Sequence, residues 1–262
     1  MTNIGFVGAG RMGTPMVQRL AKAGHEVRVL ARTPEKGREI EGLGAQAAAE
    51  LTEVADGADA VIVCVFTDEQ VQRVCLDDGL VAAMSPEAVL VLHTTGSPDT
   101  AAAIAAHGVA IIDAPVSGGP HDVAAGQVTL FVGGDDDAVQ RVRPLLSCYG
   151  DPVLHVGGLG AGQSVKLINN ALFAAQIGLV AEGVRLGGRL GIAEPALLDA
   201  LSHGSAASRA LSMIARAGST AAFTDAVGGF VGKDVAVVRQ SLAALDTDLG
   251  ALDAVVDVGL RG

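Results

Sequence analysis

The chain of 262 residues holds 29 Asp plus Glu against 18 Lys plus Arg, and its formal charge of −11 repels phosphate backbones, so nucleic acid is not an expected partner. Half of the residues are hydrophobic and only 18% are charged, which excludes general disorder and allows one large or two modest cored domains. Cys64, Cys75 and Cys148 share no metal-ligand spacing, so the expectation is no metal, and reduced thiols in a cytoplasmic protein.

Met1-Thr2-Asn3 runs directly into a strand pattern, without the signature of a secretory leader. Short apolar runs at residues 4–7, 27–30, 60–65, 89–92 and 110–112 carry the marks of parallel strands covered on both faces. Helical spacing lies between them, as at 12–23 and 98–107. A late strand at 128–132, closed by Gly133-Gly134, precedes a helix at 135–147. This alternation predicts an α/β protein with a doubly wound parallel sheet.

After Gly162 the strand-like runs stop, and the remainder reads as helices broken at Gly187-Gly188, Gly191, Gly204, Gly218 and Gly228-Gly229. A helix over 164–189 would be roughly 39 Å long at 1.5 Å per residue, enough to form the spine of a second, all-helical domain. The boundary is placed near residue 160, giving domains 1–160 and 161–262. The most apolar stretch, 167–186, contains Asn169, Asn170, Gln176, Glu182 and Arg185, which suits a buried helix better than a membrane span. With no Trp and one Tyr, the chain offers no stacking platform for bases.

Gly8-Ala9-Gly10-Arg11-Met12-Gly13 follows the first strand and opens a helix, the setting a dinucleotide fingerprint requires. Gly8 permits the tight turn, Gly10 lets backbone approach a pyrophosphate, and Gly13 allows close helix–strand packing. The helix start adds free N–H groups and partial positive charge. About 20 residues on, an NAD-type pattern wants an acid for the ribose hydroxyl. Here the strand ends in Arg32-Thr33, a guanidinium fork for a 2′-phosphate and a hydroxyl, which predicts NADP(H), with NAD(H) as the lesser cofactor. The alternative is an Arg32 that is solvated or stacks on adenine.

Asp113-Ala114-Pro115-Val116-Ser117-Gly118-Gly119 follows the fifth strand, at the carboxyl edge of the sheet where ligands of such sheets bind. Ser117 offers a hydroxyl, and Gly118 and Gly119 let N–H groups converge on a small carboxylate. Gly160-Ala161-Gly162 leads into Lys166, expected in the first turn of the long helix, with Asn170 four residues later on the same face. A helix start, burial and a second cation each favour a neutral amine, fit to exchange a proton with a carbonyl or alcohol while Asn170 fixes its direction.

These three signatures, in this order, resemble the β-hydroxyacid dehydrogenase family, which includes 3-hydroxyisobutyrate dehydrogenase, tartronate semialdehyde reductase and glyoxylate/succinic semialdehyde reductases. The resemblance runs from the glycine fingerprint to Lys233-Asp234. It implies a Rossmann domain and a helical domain with the active site between them. It implies Lys166 as catalytic acid/base and Ser117, Gly118, Gly119 and Asn170 as substrate-binding residues. Val65, Phe66 and Thr95 match segments that line the cofactor, and Lys233, in Phe230-Val231-Gly232-Lys233-Asp234, matches a lysine at the nicotinamide end of the cleft. Two features depart from the family: Leu92 stands where members commonly carry Asp, and the chain stops at Gly262, soon after Lys233. The second suggests a helical domain that leans on a partner subunit, in a homo-oligomer. His121, just past the carboxylate turn, reads as a loop histidine.

The expected activity is NADP(H)-dependent hydride transfer to or from a small 3-hydroxy acid or its semialdehyde or keto acid. The alternatives are an imine reductase of the same fold, against which Lys166 counts because such relatives generally replace the lysine, and a non-catalytic NADP-binding sensor or structural protein.

Overall fold

The computed structural model describes residues 1–261. Among these the β-branched runs form strands β1 (Asn3–Val7), β2 (Glu26–Leu30), β4 (Ala60–Val63), β5 (Val89–Leu92), β6 (Ala110–Asp113) and β8 (Val128–Gly134); β3 (Gln46–Ala48), β7 (Val116–Ser117) and β9 (Gly150–Gly157) complete the sheet. Helices α1 (Gly13–Lys22), α2 (Pro34–Gly42), α3 (Leu51–Ala55), α4 (Asp68–Gln72), α5 (Leu80–Ala83), α6 (Pro98–Ala105), α7 (Pro120–Ala125) and α8 (Asp136–Leu146) alternate with the strands. Then come α9 (Ala161–Arg189), α10 (Glu194–Ser202), α11 (Arg209–Ala217), α12 (Thr220–Ala243) and α13 (Asp253–Arg261).

The strands lie in the order β3-β2-β1-β4-β5-β6-β8-β7, with β9 on β8. β1 is flanked by β2 and β4, Ile4 pairing with Val27 on one side and Ala60 on the other. The chain therefore reverses its winding direction between β1 and β4, and such a switch point opens a crevice at the carboxyl ends of the strands. The sheet is parallel from β3 to β6, as expected of a doubly wound sheet, and β8 joins it antiparallel to β6 while pairing parallel with β9. The connection from β6 to β8 holds only β7 and the six-residue α7, too little for a covering crossover helix.

Side chains alternate between the two faces, as the period of a strand requires. Ile4, Phe6, Ile62, Val89 and Val91 face one layer with Met16, Val17 and Leu20 of α1 and Val139 and Val142 of α8. Val7, Val61, Val63, Leu90 and Leu92 face the other, with Val54, Val71, Leu80 and Ile104. Each fully buried Val, Leu or Ile contributes roughly 1.5–3 kcal/mol relative to exposure. These two layers hold the strand ends, and hence the loops on them, in place.

The chain divides into two compact units, Met1–Lys166 and Leu167 onward, and α9 contributes its residues through Lys166 to the first. The second unit packs α9 to α13 around Ala174, Ala175, Ile177, Leu211, Ile214, Phe223, Val231 and Val256. A Cβ on Gly178 would sit 1.9 Å from Val255 O, so α9 and α13 touch backbone to backbone. Gly191 (φ +77°) follows α9 and Gly218 (φ +89°) caps α11, as chain-breaking glycines should. Gly187-Gly188 and Gly228-Gly229 instead lie inside α9 and α12. The cost of about 1 kcal/mol per helical glycine is outweighed by packing on either side, from Val227 and Val231 in α12. α9 is long and apolar enough to cross a membrane by length and composition alone. Its Ala174, Ala175 and Ile177 are core residues, while Ile168, Leu172, Leu179 and Leu186 are exposed, so the helix is buried along only part of its surface.

Candidate active site

The glycine loop grows out of β1. Gly8 has φ +106°, and a Cβ there would meet Cys64 O at 2.2 Å; a Cβ on Gly13 would meet Gly8 O at the same distance. Both positions need glycine for close backbone approach. Gly10 differs: it is exposed, and nothing lies within 4 Å of the Cβ it lacks. Ala9 is buried, Arg11 is exposed, and Met12 packs against the first core layer. Met12 is also the N-cap of α1, with no side-chain cap bond and no acid in the first turn. In that turn Thr14 gives its N–H to Gly10 O at 2.9 Å and Pro15 has none, so the Arg11, Met12 and Gly13 N–H groups, bonded to nothing among the described residues, are the ones that can meet an anion, and Gly10 leaves the approach open. These residues fit a dinucleotide pyrophosphate.

At the tip of β2, Arg32 is exposed and has no ion pair among the described residues. It borders a cavity of about 380 Å³ lined also by Leu30, Ala49, Glu50, Leu51, Thr52, Val74 and Asp78. Thr33 has a local task that sequence reasoning missed. Its Oγ1 accepts the Lys36 N–H at 3.2 Å, capping α2, and its hydroxyl also bonds the Glu35 carboxylate, which with the backbone lowers the pKa of that acid. Lys36 pairs with Glu39 at 2.8 Å.

Beside the loop, the segment after β4 is tied to the segment after β5. Thr94 Oγ1 accepts the Val65 N–H and donates to Val65 O, both at 3.0 Å. Phe66, 63% exposed, donates its N–H to Gln70 Oε1 at 2.8 Å. Thr95 is half-buried, next to the tethered Thr94. Asp68 braces this loop from α4, accepting the Ser97 N–H at 3.2 Å and the Thr100 hydroxyl at 2.5 Å; burial raises its carboxyl pKa. Leu92 is buried in the second core layer, which accounts physically for an apolar residue at that strand end.

The carboxylate turn has an internal division of labour. Asp113, fully buried, accepts the Gly160 N–H at 2.7 Å on one oxygen and the Gln163 N–H at 2.6 Å on the other. It therefore caps α9, the helix that carries Lys166. Burial raises its pKa, and the N–H bonds from Gly160, Gln163 and Gly162 pull it back down. Ser117 Oγ makes no hydrogen bond among the described residues, whereas the Gly119 N–H donates to Asp122 Oδ2 at 2.7 Å. Gly118 has φ +140°. The Ser117 hydroxyl is thus uncommitted among the described residues, whereas the Gly119 N–H is already engaged. His121, largely exposed, pairs with Asp122 at 3.3 Å.

α9 begins at Ala161, three residues earlier than expected, so Lys166 falls in its second turn and is buried. The helix-terminal field expected to act on Lys166 is offset at its source by the Asp113 carboxylate, and such fields fade within a turn. In the second unit, Asn170 Nδ2 donates to Asp234 Oδ2 at 2.7 Å, and Asn169 Nδ2 donates to Asn170 Oδ1 at 3.1 Å. Lys233 Nζ stands 2.8 Å from Asp234 Oδ1. One carboxylate thus holds both Asn170 and Lys233; its only signal in the sequence was an acid next to Lys233.

A glycine loop of this build on a sheet of this order defines a dinucleotide-binding α/β protein. Residues 3–157 match the NAD binding domain of 6-phosphogluconate dehydrogenase, and residues 160–258 match the family described as NAD-binding of NADP-dependent 3-hydroxyisobutyrate dehydrogenase. A 3-hydroxyisobutyrate dehydrogenase of Pseudomonas aeruginosa is 36% identical over 218 residues, covering 81% of this chain and 73% of that protein. An NAD-dependent L-serine dehydrogenase of the same organism is 33% identical over 267 residues, covering 96% and 90%. The structure of Mycobacterium tuberculosis 3-hydroxyisobutyrate dehydrogenase with L-serine superposes with a TM-score of 0.89 at 29% identity, over 100% of this chain and 93% of that one. The chain belongs to the β-hydroxyacid dehydrogenase family, and is an NAD(P)-dependent hydroxyacid dehydrogenase.

Proposed function

We propose that this enzyme interconverts a small 3-hydroxy acid and its semialdehyde or keto acid, preferring NADP(H), with substrates of the 3-hydroxyisobutyrate, glyoxylate, succinic semialdehyde or tartronate semialdehyde type. L-Serine, itself a 3-hydroxy acid, joins the candidates because relatives are named for it or were solved with it. The observation that carries the reading is Asp113, which joins the carboxylate turn directly to the start of the helix bearing the buried Lys166.

The bound nicotinamide supplies hydride exchange at the substrate carbinol carbon. The chain's own residues do the rest. Gly8, Ala9, Gly10, Arg11, Met12 and Gly13 hold the pyrophosphate, Val65, Phe66 and Thr95 line the cofactor, and Lys233 serves its nicotinamide end. Ser117, with the Gly118-Gly119 turn, takes the substrate carboxylate. Lys166 moves the hydroxyl proton, and Asn170, anchored by Asp234, orients the substrate. Arg32, exposed and without an ion pair among the described residues, supports the preference for a 2′-phosphate; Thr33 contributes mainly by shaping the start of α2.

Two wider readings accompany this one. Exposed Ile168, Leu172, Leu179 and Leu186 lie 4, 7 and 7 residues apart along α9 and support a homo-oligomer formed through the helical unit. Cys64, Cys75 and Cys148 are all free thiols, which supports a cytoplasmic setting. The test is a spectrophotometric screen of NADPH and NADH against those acids and aldehydes. Turnover of at least one, faster with NADPH, is expected; binding of NADPH without turnover of any would reduce the chain to a cofactor-binding protein.

A further inference from the structure

The function proposed above needs Thr95 and Lys166 held in a fixed relation, and one buried side chain of the first unit bears on both. Gln163 is 2% exposed. Its Oε1 accepts the Gly96 N–H at 3.0 Å and its Nε2 donates to Thr94 O at 2.7 Å, so the amide grips the backbone on either side of Thr95. Its own backbone N–H is held by Asp113. Lys166 follows three residues later, on the adjoining turn of α9. Both ends of the amide are used, one as acceptor and one as donor, which an apolar side chain cannot do and a carboxylate can do only when protonated.

We propose that Gln163 is a positioning residue, setting the separation of the Thr95 wall from the helix that carries Lys166. The assignment rests on the function proposed above. The loop has other braces, Asp68 on Ser97 and Thr94 on Val65, and these keep it folded without Gln163. They do not tie it to α9. A misplacement of about 1 Å between reacting groups is enough to cost on the order of 10²-fold in rate.

The test compares wild type with Gln163→Met, similar in length but without hydrogen bonds, and Gln163→Glu. Each is measured for kcat, KM, NADPH affinity and thermal midpoint. In Gln163→Met, kcat should fall by roughly 30- to 100-fold while KM and NADPH affinity stay within about threefold. In Gln163→Glu the protonated acid can remake both bonds, whereas the carboxylate faces Thr94 O with no proton to give. The ratio of its kcat to that of wild type should therefore fall as pH rises. The charged or titratable groups near that position are Asp113, Asp68, Lys166 and the buried His93, and taking the ratio cancels their own contributions to the wild-type profile. Full kcat in Gln163→Met, an equal collapse of kcat, affinity and thermal midpoint, or a pH-independent ratio would each overturn the assignment. A wild type inert on every substrate would instead remove the proposed function, and with it the reaction for which Gln163 positions anything.

Discussion

His93 Nδ1 stands 2.5 Å from Ala114 O, an atom that can only accept, so that nitrogen carries the proton and Nε2 accepts from the Tyr149 hydroxyl at 2.8 Å. Burial pushes the imidazole pKa down to about 4. Because the folded value lies below the ordinary 6.5, the unfolded chain binds the proton first as pH falls. The resulting stability is present above pH 6.5 and is lost as pH drops toward 4. Between pH 7 and pH 5 this amounts to about 2 kcal/mol, so wild type should lose that much more than His93→Gln in urea unfolding. Equal losses would mean that His93 is not held neutral. Two proposed roles, one of a buried and one of an exposed side chain, are tested at the same scale. Lys166→Ala should lower kcat by about 10²- to 10⁴-fold with NADPH affinity kept, as read by fluorescence titration; retained turnover would take Lys166 out of the chemistry. Arg32→Asp should lower the NADPH-to-NADH ratio of kcat/KM by about tenfold or more, at little cost to folding, since the side chain is exposed and unpaired among the described residues.

At the scale of the element, α9 decides the site, and its start is built from distant parts. Asp113 lies 47 residues before Gly160 in the sequence, yet it supplies the cap. Local rules look for a cap within a few residues, and so the helix was expected to begin at 164 rather than at Ala161. β1, β4, β5 and β6 were legible because both of their faces are buried, and β2 and β8 because every second residue of their apolar-rich runs is buried. The others were not: β3 is three residues of Gln and Ala, β7 has two residues, and β9 contains Asp151 and Pro152 with half its side chains toward solvent. Within the candidate site, residue types could be read from the motifs, but the engagement of the Gly119 N–H by Asp122, of Thr33 by α2 and of Asn170 by Asp234 depends on packing that no spacing reveals. The packed start of α9 gives a sharp prediction. A Cβ on Gly162 would lie 2.4 Å from Phe131 O and 2.8 Å from Asp113 Oδ2, all in the core of the junction. Gly162→Ala should destabilise by about 1–3 kcal/mol and reduce kcat more than it weakens NADPH binding, because the strain displaces α9 rather than the glycine loop. A normal thermal midpoint in that variant would show that the junction yields without cost.

For the whole molecule, two opposing features bear on association. Each copy carries a formal charge of −11, which repels a second copy, while Ile168, Leu172, Leu179 and Leu186 of α9 are 60%, 46%, 60% and 51% exposed. Spacings of 4, 7 and 7 residues keep these side chains within one stripe of the helix. Fully burying one Leu or Ile is worth roughly 1.5–3 kcal/mol, so four partly exposed ones, if they met their counterparts, would work against both the cost of association and a repulsion that salt screens within about 10 Å at 0.1 M. The direction of the salt effect follows: association held by the stripe and opposed by charge should strengthen as salt is added, the reverse of an interface built from ion pairs. Sedimentation at increasing salt should show wild type as an oligomer whose dissociation constant falls. Leu179→Glu combined with Leu186→Glu should shift it to monomer by at least tenfold in that constant, about 1.4 kcal/mol, without unfolding the helical core, which uses Ala174, Ala175 and Ile177 instead. A wild type that stays monomeric at high salt and high concentration would leave the stripe without a second copy to cover it.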